Sequence, residues 1–257
     1  MLAVKRLEEI MGILSREGAV DATSLSLQFN VTTKTVRKDL DKLEILGMIE
    51  RVHGGAVLKQ DGSNVLPVED RKKKHLHEKI LIAQQALQCI DDGDTIILDG
   101  GSTTIQLAKL LGDRRLTVIT NDLHIALELM YRENIELFLT GGKLRRQNAF
   151  TLQGRDAERV LEKYQVKKLF LGTTAIDFAA GLTVLSAEEA DMKKAMIRAA
   201  REVICLADHT KFHQVAFVSF CPVEKVQRLI TDGGISEEDR LYLQERGVRV
   251  DIAGVCL

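Results

Sequence analysis

The sequence predicts two unequal domains: a small helical domain that ends in a β-hairpin, and a larger α/β domain with a mainly parallel sheet. Three observations support this fold class. The first 58 residues carry three apolar faces at helical spacing, followed by a Gly-Gly pair. From about residue 75 onward, short apolar runs alternate with helical stretches. A polar stretch separates the two patterns and holds one of the two prolines of the chain.

Composition excludes several classes of protein. The 257 residues are enough to bury a core without disulfides or metals. With 36 Lys and Arg against 37 Asp and Glu, the formal net charge is −1. This balance excludes a uniformly basic nucleic-acid coat and an acidic disordered tail. Aromatic residues are few (Phe 8, Tyr 3, Trp 0), which argues against a stacking platform for single-stranded nucleic acid.

The sequence also bears on the compartment. It has no apolar window of about 18 residues, so no membrane span is expected. The N-terminal segment carries charges throughout, unlike a secretory signal. The four cysteines lack CxxC spacing and lie in or beside apolar runs, so we expect buried, reduced thiols in a cytoplasmic protein. They are Cys89, Cys205, Cys221 and Cys256.

Three helices are expected in the first domain, each from apolar residues that recur on one face. The first ends at Gly18, and its face consists of Val4, Leu7, Ile10, Met11 and Leu14. The second is short and is marked by Ala22, Leu25 and Phe29. The third is marked by Val36, Leu40, Leu43 and Gly47.

The connections between these elements complete the first domain. Asn30-Val31-Thr32 joins the second and third helices, and the Thr32 hydroxyl is a suitable N-cap for the third. Two short runs then flank His53-Gly54-Gly55, where the Gly pair supplies the positive φ that a tight hairpin needs. Residues 1–58 are therefore predicted as a winged helix-turn-helix, residues 59–74 as a linker and residues 75–257 as the second domain.

The second domain should contain seven strands separated by helices. The apolar runs lie at 95–99, 116–120, 135–140, 167–172, 202–208, 226–232 and 248–253. Strand–helix alternation of this kind predicts a mainly parallel sheet covered by helices. Ligands of such sheets bind at the carboxyl ends of the strands. Gly, Ser, Thr and Asn are concentrated at those ends here.

The third helix has the features of a DNA reader. In a helix-turn-helix, the second helix of the pair enters the major groove. The face opposite the apolar residues presents Thr33, Lys34, Thr35, Arg37, Lys38 and Asp41. Segment Thr32–Lys38 has three positive charges and no negative ones, although residues 1–58 as a whole are balanced. The alternative is a protein-interaction module with a solvated basic face. The predicted DNA-binding residues are Thr32, Thr33, Lys34, Thr35, Arg37, Lys38, Arg51 and His53.

The loop Asp99–Thr104 is the first candidate for ligand binding. It lies between a predicted strand and a predicted helix, where successive N–H groups can bind an anion. Glycines allow close approach of a ligand, and Ser102, Thr103 and Thr104 add hydroxyl donors. The loop has neither the Gly-Lys-Ser/Thr of a Walker loop nor the GxGxxG of a dinucleotide site. It therefore predicts phosphate binding, and the alternative is an ordinary capped strand–helix turn.

These segments resemble the DeoR-type bacterial transcriptional regulators over nearly the whole chain. The resemblance rests on Thr35-Val36-Arg37-Lys38-Asp39-Leu40, Leu43-Glu44 and His53-Gly54-Gly55-Ala56. It implies that residues 20–39 are the helix-turn-helix proper. Because Asp39 carries the wrong charge for DNA contact, we expect it to pair with a cation or to cap locally.

The resemblance extends to the second domain, through Asp-x-Gly-Ser-Thr-Thr, Thr-Asn, Gly-Gly and Asp-x-x-Lys. It implies a fold similar to ribose-5-phosphate isomerase and CoA transferases, with loops that line a pocket for a phosphorylated sugar. The residues that match are Asp99, Gly101, Ser102, Thr103, Thr104, Thr120, Asn121, Gly141, Gly142, Lys143, Asp177, Gly181, Glu188 or Glu189, Lys193, Asp208 and Lys211. The chain departs from the family pattern at Thr210 and at His213.

Two further clusters have open interpretations. A cationic cluster follows the Gly-Gly turn and consists of Lys143, Arg145 and Arg146. Three interpretations are open: contact with the ligand phosphate, contact with a neighbouring subunit, or a solvated turn. His209 and His213 imitate zinc-ligand spacing, but no Cys or third ligand stands nearby. We therefore predict no metal site and no cofactor other than the effector.

The function predicted from these features is transcriptional regulation. The resemblance implies a homo-oligomeric repressor, a dimer or a tetramer, of a sugar or polyol catabolic operon that a phosphorylated sugar releases from DNA; activation is the alternative direction. A sugar-phosphate isomerase is the rival, because Asp99, Asp177, Glu188, Glu189 and Lys193 could supply a base and a proton shuttle. The predicted winged helix-turn-helix domain favours a regulator, since a recognition helix has no use on a metabolic enzyme.

Overall fold

The computed structural model describes residues 3–45, 49–58, 74–145 and 150–254. The chain divides into two compact units, Met1–Glu69 and Asp70–Leu257. The predicted linker lies almost wholly outside the described residues, so its bounds remain a prediction. Within the described ranges, no helix is long and apolar enough to cross a membrane.

The first unit contains three helices and a small sheet. The helices are α1 (Ala3–Glu17), α2 (Ala22–Phe29) and α3 (Thr33–Ile45), and the strands are β1 (Ala19–Asp21), β2 (Ile49–Val52) and β3 (Gly55–Leu58). The sheet is antiparallel, in the order β1-β3-β2. Leu7, Ile10, Leu14, Leu40 and Leu43 are buried, as their spacing predicts. Thr32 caps α3, because its hydroxyl accepts a hydrogen bond from the Thr35 N–H at 3.2 Å.

The Gly-Gly pair of the hairpin differs in part from its predicted role. Gly54 has a φ of 86° and makes the turn, as predicted. Gly55 instead lies in β3, against β1, which the sequence did not predict. A Cβ at Gly55 would be 1.9 Å from the Val20 carbonyl oxygen, so this glycine is needed for close approach of two strands.

The second unit is an α/β domain built on seven parallel strands. They are β4 (Thr95–Leu98), β5 (Leu116–Thr120), β6 (Ile135–Leu139), β9 (Val166–Gly172), β12 (Ala200–Leu206), β14 (Arg228–Asp232) and β15 (Arg249–Ala253). All seven predicted strands are present, and their bounds agree to within two residues. The consecutive residues Ile96, Ile97 and Leu98 are each fully buried, so both faces of the sheet are covered.

The strand order reverses once in this sheet. The order is β15-β14-β12-β9-β4-β5-β6. The chain adds β5 and β6 on one side of β4 and then places β9, β12, β14 and β15 on the other. The neighbours β4 and β9 therefore flank the point of reversal, where the connections diverge and leave a crevice at the carboxyl ends of the strands.

The helices of this unit cover the sheet and bring side chains to its carboxyl edge. They are α4 (Leu76–Leu87), α5 (Ser102–Leu110), α6 (Leu123–Leu129), α7 (Arg155–Leu161), α8 (Ala187–Ala199) and α9 (Glu237–Glu245), with short 3-10 turns at His209–Lys211 and Val223–Lys225. The start of α8 is capped by Ser186, whose hydroxyl accepts from the Glu189 N–H at 3.2 Å.

Two small antiparallel sheets were not predicted. One pairs β7 (Lys143–Arg145) with β8 (Thr151–Gln153), and the other has the order β10-β11-β13. Its strands are β10 (Ala175–Asp177), β11 (Gly181–Val184) and β13 (Val218–Cys221). Each of these strands has only three or four residues, and all four residues of β11 are buried, so no alternating pattern marks it.

The described cysteines are free thiols. Cys205 and Cys221 are buried, as expected, and Cys89 is half-buried. Burial raises the pKa of Cys221 to about 11, which keeps this thiol protonated at neutral pH. Cys256 lies outside the described residues.

Candidate functional site

The exposed face of α3 carries the predicted DNA-binding cations. Lys34, Arg37 and Lys38 are exposed on the side opposite the buried Val36 and Leu40. At the start of the helix, the hydroxyl oxygens of Thr32 and Thr35 lie 2.9 Å apart, and Thr33 is half-buried. This face can present its cations to phosphates and base edges without loss of core contacts.

The wing is connected to the same helix. Arg51, on β2, binds the Asp41 carboxylate at 2.7 Å and the Arg37 carbonyl oxygen at 3.3 Å. His53 is exposed at the tip of the hairpin. Arg51 therefore fixes the wing against α3, and it neutralises the one exposed carboxylate among the residues predicted to face DNA.

Asp39 pairs with a cation, as predicted. Its carboxylate accepts from the Arg6 guanidinium at 2.5 and 3.1 Å, and both side chains are buried. Arg6 lies on α1, 33 residues away in the chain. The pair consequently removes a carboxylate from the DNA face and joins the first helix to the third.

A buried ion pair lies at the reversal of strand order in the second unit. Asp99 follows β4, and its carboxylate accepts from the Gly172 N–H at the end of β9 (2.9 Å) and from the Lys193 ammonium on α8. Lys193 also donates to the Gly172 carbonyl oxygen at 3.0 Å. Burial raises the pKa of Asp99, and the Lys193 ammonium and the Gly172 N–H oppose that rise.

This pair continues into a chain of alternating charges. Glu189 lies one turn before Lys193, at 4.0 Å from its ammonium, and binds Arg145 of β7 at 2.7 Å. Glu188, the other acidic candidate, is exposed. The structure thus brings together Asp99, Lys193, Glu189 and Arg145, and it leaves Glu188 outside this cluster.

The first loop offers two hydroxyls to a ligand. Ser102 and Thr103 open α5, and no hydrogen-bond partner for either hydroxyl is found among the described residues. Thr104 differs, because its hydroxyl donates to the Gly101 carbonyl oxygen at 2.9 Å. Gly101, the N-cap residue, provides no side-chain cap for the N–H groups of the first turn. The loop therefore retains donors for an anion.

The second loop supports the first. The Thr120 hydroxyl donates to the Leu98 carbonyl oxygen at 2.7 Å and accepts from the Asp122 N–H. The Asn121 side chain accepts from the Gly100 N–H at 3.1 Å and donates to the Leu152 carbonyl oxygen at 3.3 Å. Both side chains are satisfied by the protein, so their contacts are those of positioning residues.

Gly100 is a site residue whose importance the sequence does not indicate. A Cβ at this position would be 2.4 Å from the Thr151 side chain of β8 and 3.0 Å from the Asp122 carboxylate. The first loop can therefore lie against β8 only with glycine at this position. No motif signals this requirement, because Thr151 is 51 residues away in the sequence.

The remaining predicted residues lie on other loops of the unit. Gly141 and Gly142 have positive φ and lead into β7, whose first residue, Lys143, is exposed. Asp177 accepts from the Ala179 and Ala180 N–H groups, at 2.9 and 2.7 Å, and so stabilises the turn between β10 and β11. Lys211 is half-buried in a 3-10 turn capped by Asp208. Arg146 lies outside the described residues.

A histidine–aspartate pair lies at the same edge, and the sequence reading missed it. The His209 Nδ1 is 2.7 Å from the Asp232 carboxylate, which also accepts from the backbone N–H groups of His209 and Gly234. Although burial favours the neutral acid, these hydrogen bonds lower the pKa of Asp232. His213 binds a different carboxylate, Asp239, at 2.9 Å. The available signal was the Asp232-Gly233-Gly234 sequence, in which the aspartate ends β14 and the glycines follow it.

Glycine again determines whether this pair can form. A Cβ at Gly234 would lie 2.4 Å from Cγ of the His209 ring, so the imidazole packs directly on the glycine. Within the described ranges, no group of three His, Cys, Asp or Glu side chains could hold a metal ion. What the edge offers a ligand is therefore hydroxyls, N–H groups and an oriented imidazole.

Comparison with known structures gives partial similarities. Ribose 5-phosphate isomerase A from Methanocaldococcus jannaschii is 20% identical, over 52% of this chain and 53% of that chain, with a TM-score of 0.38.

Comparison with families and sequences covers nearly the whole chain. A DeoR-like helix-turn-helix domain matches residues 6–61, and a DeoR C terminal sensor domain matches residues 74–233. The HTH-type transcriptional regulator YulB of Bacillus subtilis is 36% identical over 97% of this chain and 96% of its own length. The HTH-type transcriptional repressor GlcR, also of Bacillus subtilis, is 34% identical over 90% and 89%. These relatives are regulators and not enzymes, and the chain belongs to the DeoR family of transcriptional regulators.

Proposed function

We propose that this chain is a cytoplasmic repressor of a sugar or polyol catabolic operon, and that a phosphorylated sugar releases it from operator DNA. The hydroxyls of Ser102 and Thr103, for which the described residues provide no hydrogen-bond partner, carry the proposal for the effector. They open α5 beside the reversal of strand order, where the fold favours a ligand. Similarity to a relative named as a repressor supports repression.

The proposed ligand extends along the carboxyl edge of the sheet. Its phosphate binds the N–H groups at the start of α5 and the hydroxyls of Ser102 and Thr103. Asp99 is committed to Lys193 and Gly172, so it acts as a positioning residue. The hydroxyls of the sugar lie toward β12 and β14, where Asp232 orients the imidazole of His209.

Release from DNA follows from coupling between ligand and operator. Ligand binding favours an arrangement of subunits in which the distance between the paired DNA-binding domains no longer matches the spacing of the operator half-sites. A coupling of about 1–3 kcal/mol is sufficient, and it acts equally in both directions.

Loss of a protein hydroxyl that binds the effector should produce a repressor that stays on DNA. A charge-assisted hydrogen bond contributes roughly 1.5–3 kcal/mol, so Ser102→Ala or Thr103→Ala should weaken effector affinity about ten- to a hundredfold. Operator affinity without effector should be unchanged, and more effector should restore release. The measurement is operator binding titrated with a sugar phosphate chosen by a thermal-shift screen.

Thr117→Val is the matched control for this experiment. It also removes a hydroxyl, but at the opposite, amino end of β5, where Thr117 binds Glu136 at 3.2 Å. Release curves of Ser102→Ala and Thr103→Ala that coincide with that of Thr117→Val would place the phosphate elsewhere. Turnover of the sugar phosphate by the parent would contradict the regulator proposal itself.

The exposed cations of α3 should differ in what they recognise. Arg37→Ala should lose about 1–3 kcal/mol of operator binding and relax specificity at one base pair. Lys38→Ala should weaken all sequences alike and reduce the salt dependence by about one unit. Lys42→Ala, an exposed lysine near the other end of α3, is the control. The assigned face is wrong if gel shifts show all three variants equal to the parent.

A further inference from the structure

The outer edge of the second unit carries an unusual apolar surface. Helix α6 buries Ile125, Ala126 and Leu129 against the sheet. On its other side, Leu127 is 63% exposed between the half-buried His124 and Glu128, and the turn that follows exposes Met130 (53%) and Tyr131 (84%). A surface helix normally turns polar and charged residues outward, so three large apolar side chains exposed together favour a covered position.

The adjoining strand, β6, is paired with β5 on one side only within the described ranges. β6 ends the seven-stranded sheet, and among the described residues no strand pairs with its outer side. The Thr140 N–H donates to the Thr120 carbonyl oxygen, and the Asn134 carbonyl accepts from the Leu116 N–H. Because bonding alternates along a strand, the peptide groups of Leu137 and Leu139 point away from the sheet. In the part of the chain that the structure describes, no partner is found for these groups, so they can pair with another strand.

The two edges of the sheet differ in how they are protected. The β15 edge contains Arg249 and Asp251, which form an ion pair at 2.9 Å. β6 contains one charged residue, Glu136, and no proline or bulge. Charged and interrupted edges resist pairing with other chains, whereas an uninterrupted apolar edge accepts it. We define the β6 edge surface as Leu127, Met130, Tyr131, Leu139 and Phe150, each of them exposed.

Phe150 connects this surface to the candidate effector site. Its carbonyl oxygen accepts from the Leu123 N–H at 2.9 Å, and its ring lies edge-on to His124 with centroids 5.2 Å apart. The next residue, Thr151, packs against Gly100 of the first effector loop. The β6 edge surface therefore adjoins the candidate effector site, since Phe150 of the surface precedes Thr151 in the chain and Thr151 packs against Gly100.

We infer that the β6 edge surface binds the same surface of a second copy of this chain. An antiparallel pair of β6 strands centred on Leu137 sets Glu136 opposite Phe138 and Ile135 opposite Leu139. No carboxylate then faces another, and the outward peptide groups bond across the two-fold axis. The apolar residues of α6 and of the following turn extend the contact on one side, as a self-complementary interface requires.

The charge balance of the first unit indicates that the partner at the β6 edge surface is a second copy of this chain. Residues 1–58 hold eight Lys and Arg and eight Asp and Glu, so one reading head supplies few phosphate contacts. Helix-turn-helix proteins meet this need by pairing two heads on a two-fold operator. Pairing of two DNA-binding domains does not depend on which effector binds, so failure of the proposed ligand would leave this interface untouched.

The test is self-association of the full chain without DNA or effector, measured by sedimentation velocity over a range of concentrations. The parent should associate, and the double variant Leu127→Glu, Tyr131→Glu should associate at least about tenfold more weakly, because each change acts twice in a two-fold interface. Leu241→Glu is the matched control, since Leu241 is 47% exposed on α9, away from this edge. It should equal the parent.

A second pair of variants tests the strand itself. Leu137→Pro removes an N–H that points away from the sheet, so the protein should stay folded and lose association. Phe138→Pro removes an N–H directed at β5, so it should unfold the domain instead. If the double glutamate variant fails to fold by circular dichroism, Tyr131→Ser and Leu137→Pro decide the question.

Three results would overturn the inference. The first is a parent that stays monomeric at every concentration. The second is a folded double variant that associates as tightly as Leu241→Glu does. The third is a folded Leu137→Pro variant with the association constant of the parent, because antiparallel pairing of β6 requires that N–H.

Discussion

Lys193→Met should lower the free energy of unfolding of the second unit by about 3–5 kcal/mol, because it leaves the Asp99 carboxylate buried without its cation. Asp99 and Lys193 are 2% and 3% exposed, so water cannot replace the lost ammonium. Chemical denaturation followed by tyrosine fluorescence measures this effect selectively, since all three tyrosines of the chain lie in the second unit. Lys194→Met, on the exposed side of the same helix, should change stability by less than about 0.5 kcal/mol.

The loss in Lys193→Met should depend on pH. Without the ammonium, the pKa of Asp99 should rise further above its ordinary value, so the folded variant binds a proton that the unfolded chain releases. Stability should therefore fall as pH rises, and the deficit relative to the parent should be larger near about pH 8 than near about pH 5. Adding Asp99→Asn to Lys193→Met should recover most of the loss. A deficit that is the same at both pH values would mean that the carboxylate is not the cause.

Asp39→Ala should abolish operator binding. Electrostatics alone predicts the opposite, because the change removes a negative charge from the recognition helix. The structure assigns this carboxylate to Arg6, in a buried pair that joins α1 to α3. Loss of one partner from such a pair costs about 3–5 kcal/mol, which is comparable to the total stability of a domain of this size.

Asp41→Ala provides the matched comparison for Asp39→Ala. Asp41 lies two residues further along α3, and its ion pair with Arg51 is largely exposed, so its removal should cost less than about 1 kcal/mol. Operator binding by fluorescence anisotropy and helix content by circular dichroism should separate the two variants. Tyrosine fluorescence should report an intact second unit in both. Tighter operator binding by Asp39→Ala would show that the buried pair is dispensable.

The large elements of this fold could be predicted because their signals are local. Each strand of the parallel sheet is a run of apolar residues between helical stretches, and α1 to α3 have buried faces at regular spacing. The short strands β7, β8, β10, β11 and β13 lack such a signal. Their three or four residues are placed by contacts with distant segments, so neither length nor alternation reveals them.

The candidate site could be predicted in its loops but not in its contacts. The strand–helix loop indicated Asp99 and the family resemblance indicated Lys193, yet neither indicated their pairing across 94 residues. Thr120 and Asn121 look like ligand residues in sequence, and only the structure shows that their polar atoms are already bonded to the protein. Gly100 and Gly234 are required because other side chains pack on them, and a glycine carries no sign of its future neighbour.

The single reversal of strand order has a consequence for how such a sensor can acquire new specificity. The proposed phosphate contacts come from the loop after β4, in the earlier part of the domain, whereas His209 follows β12 and Asp232 ends β14, in the later part. In the proposed binding mode, separate stretches of chain therefore recognise the group common to all sugar phosphates and the group that distinguishes them. Recombination or stepwise substitution after β9 should therefore change which sugar is preferred, while the proposed phosphate-binding loop after β4 stays the same.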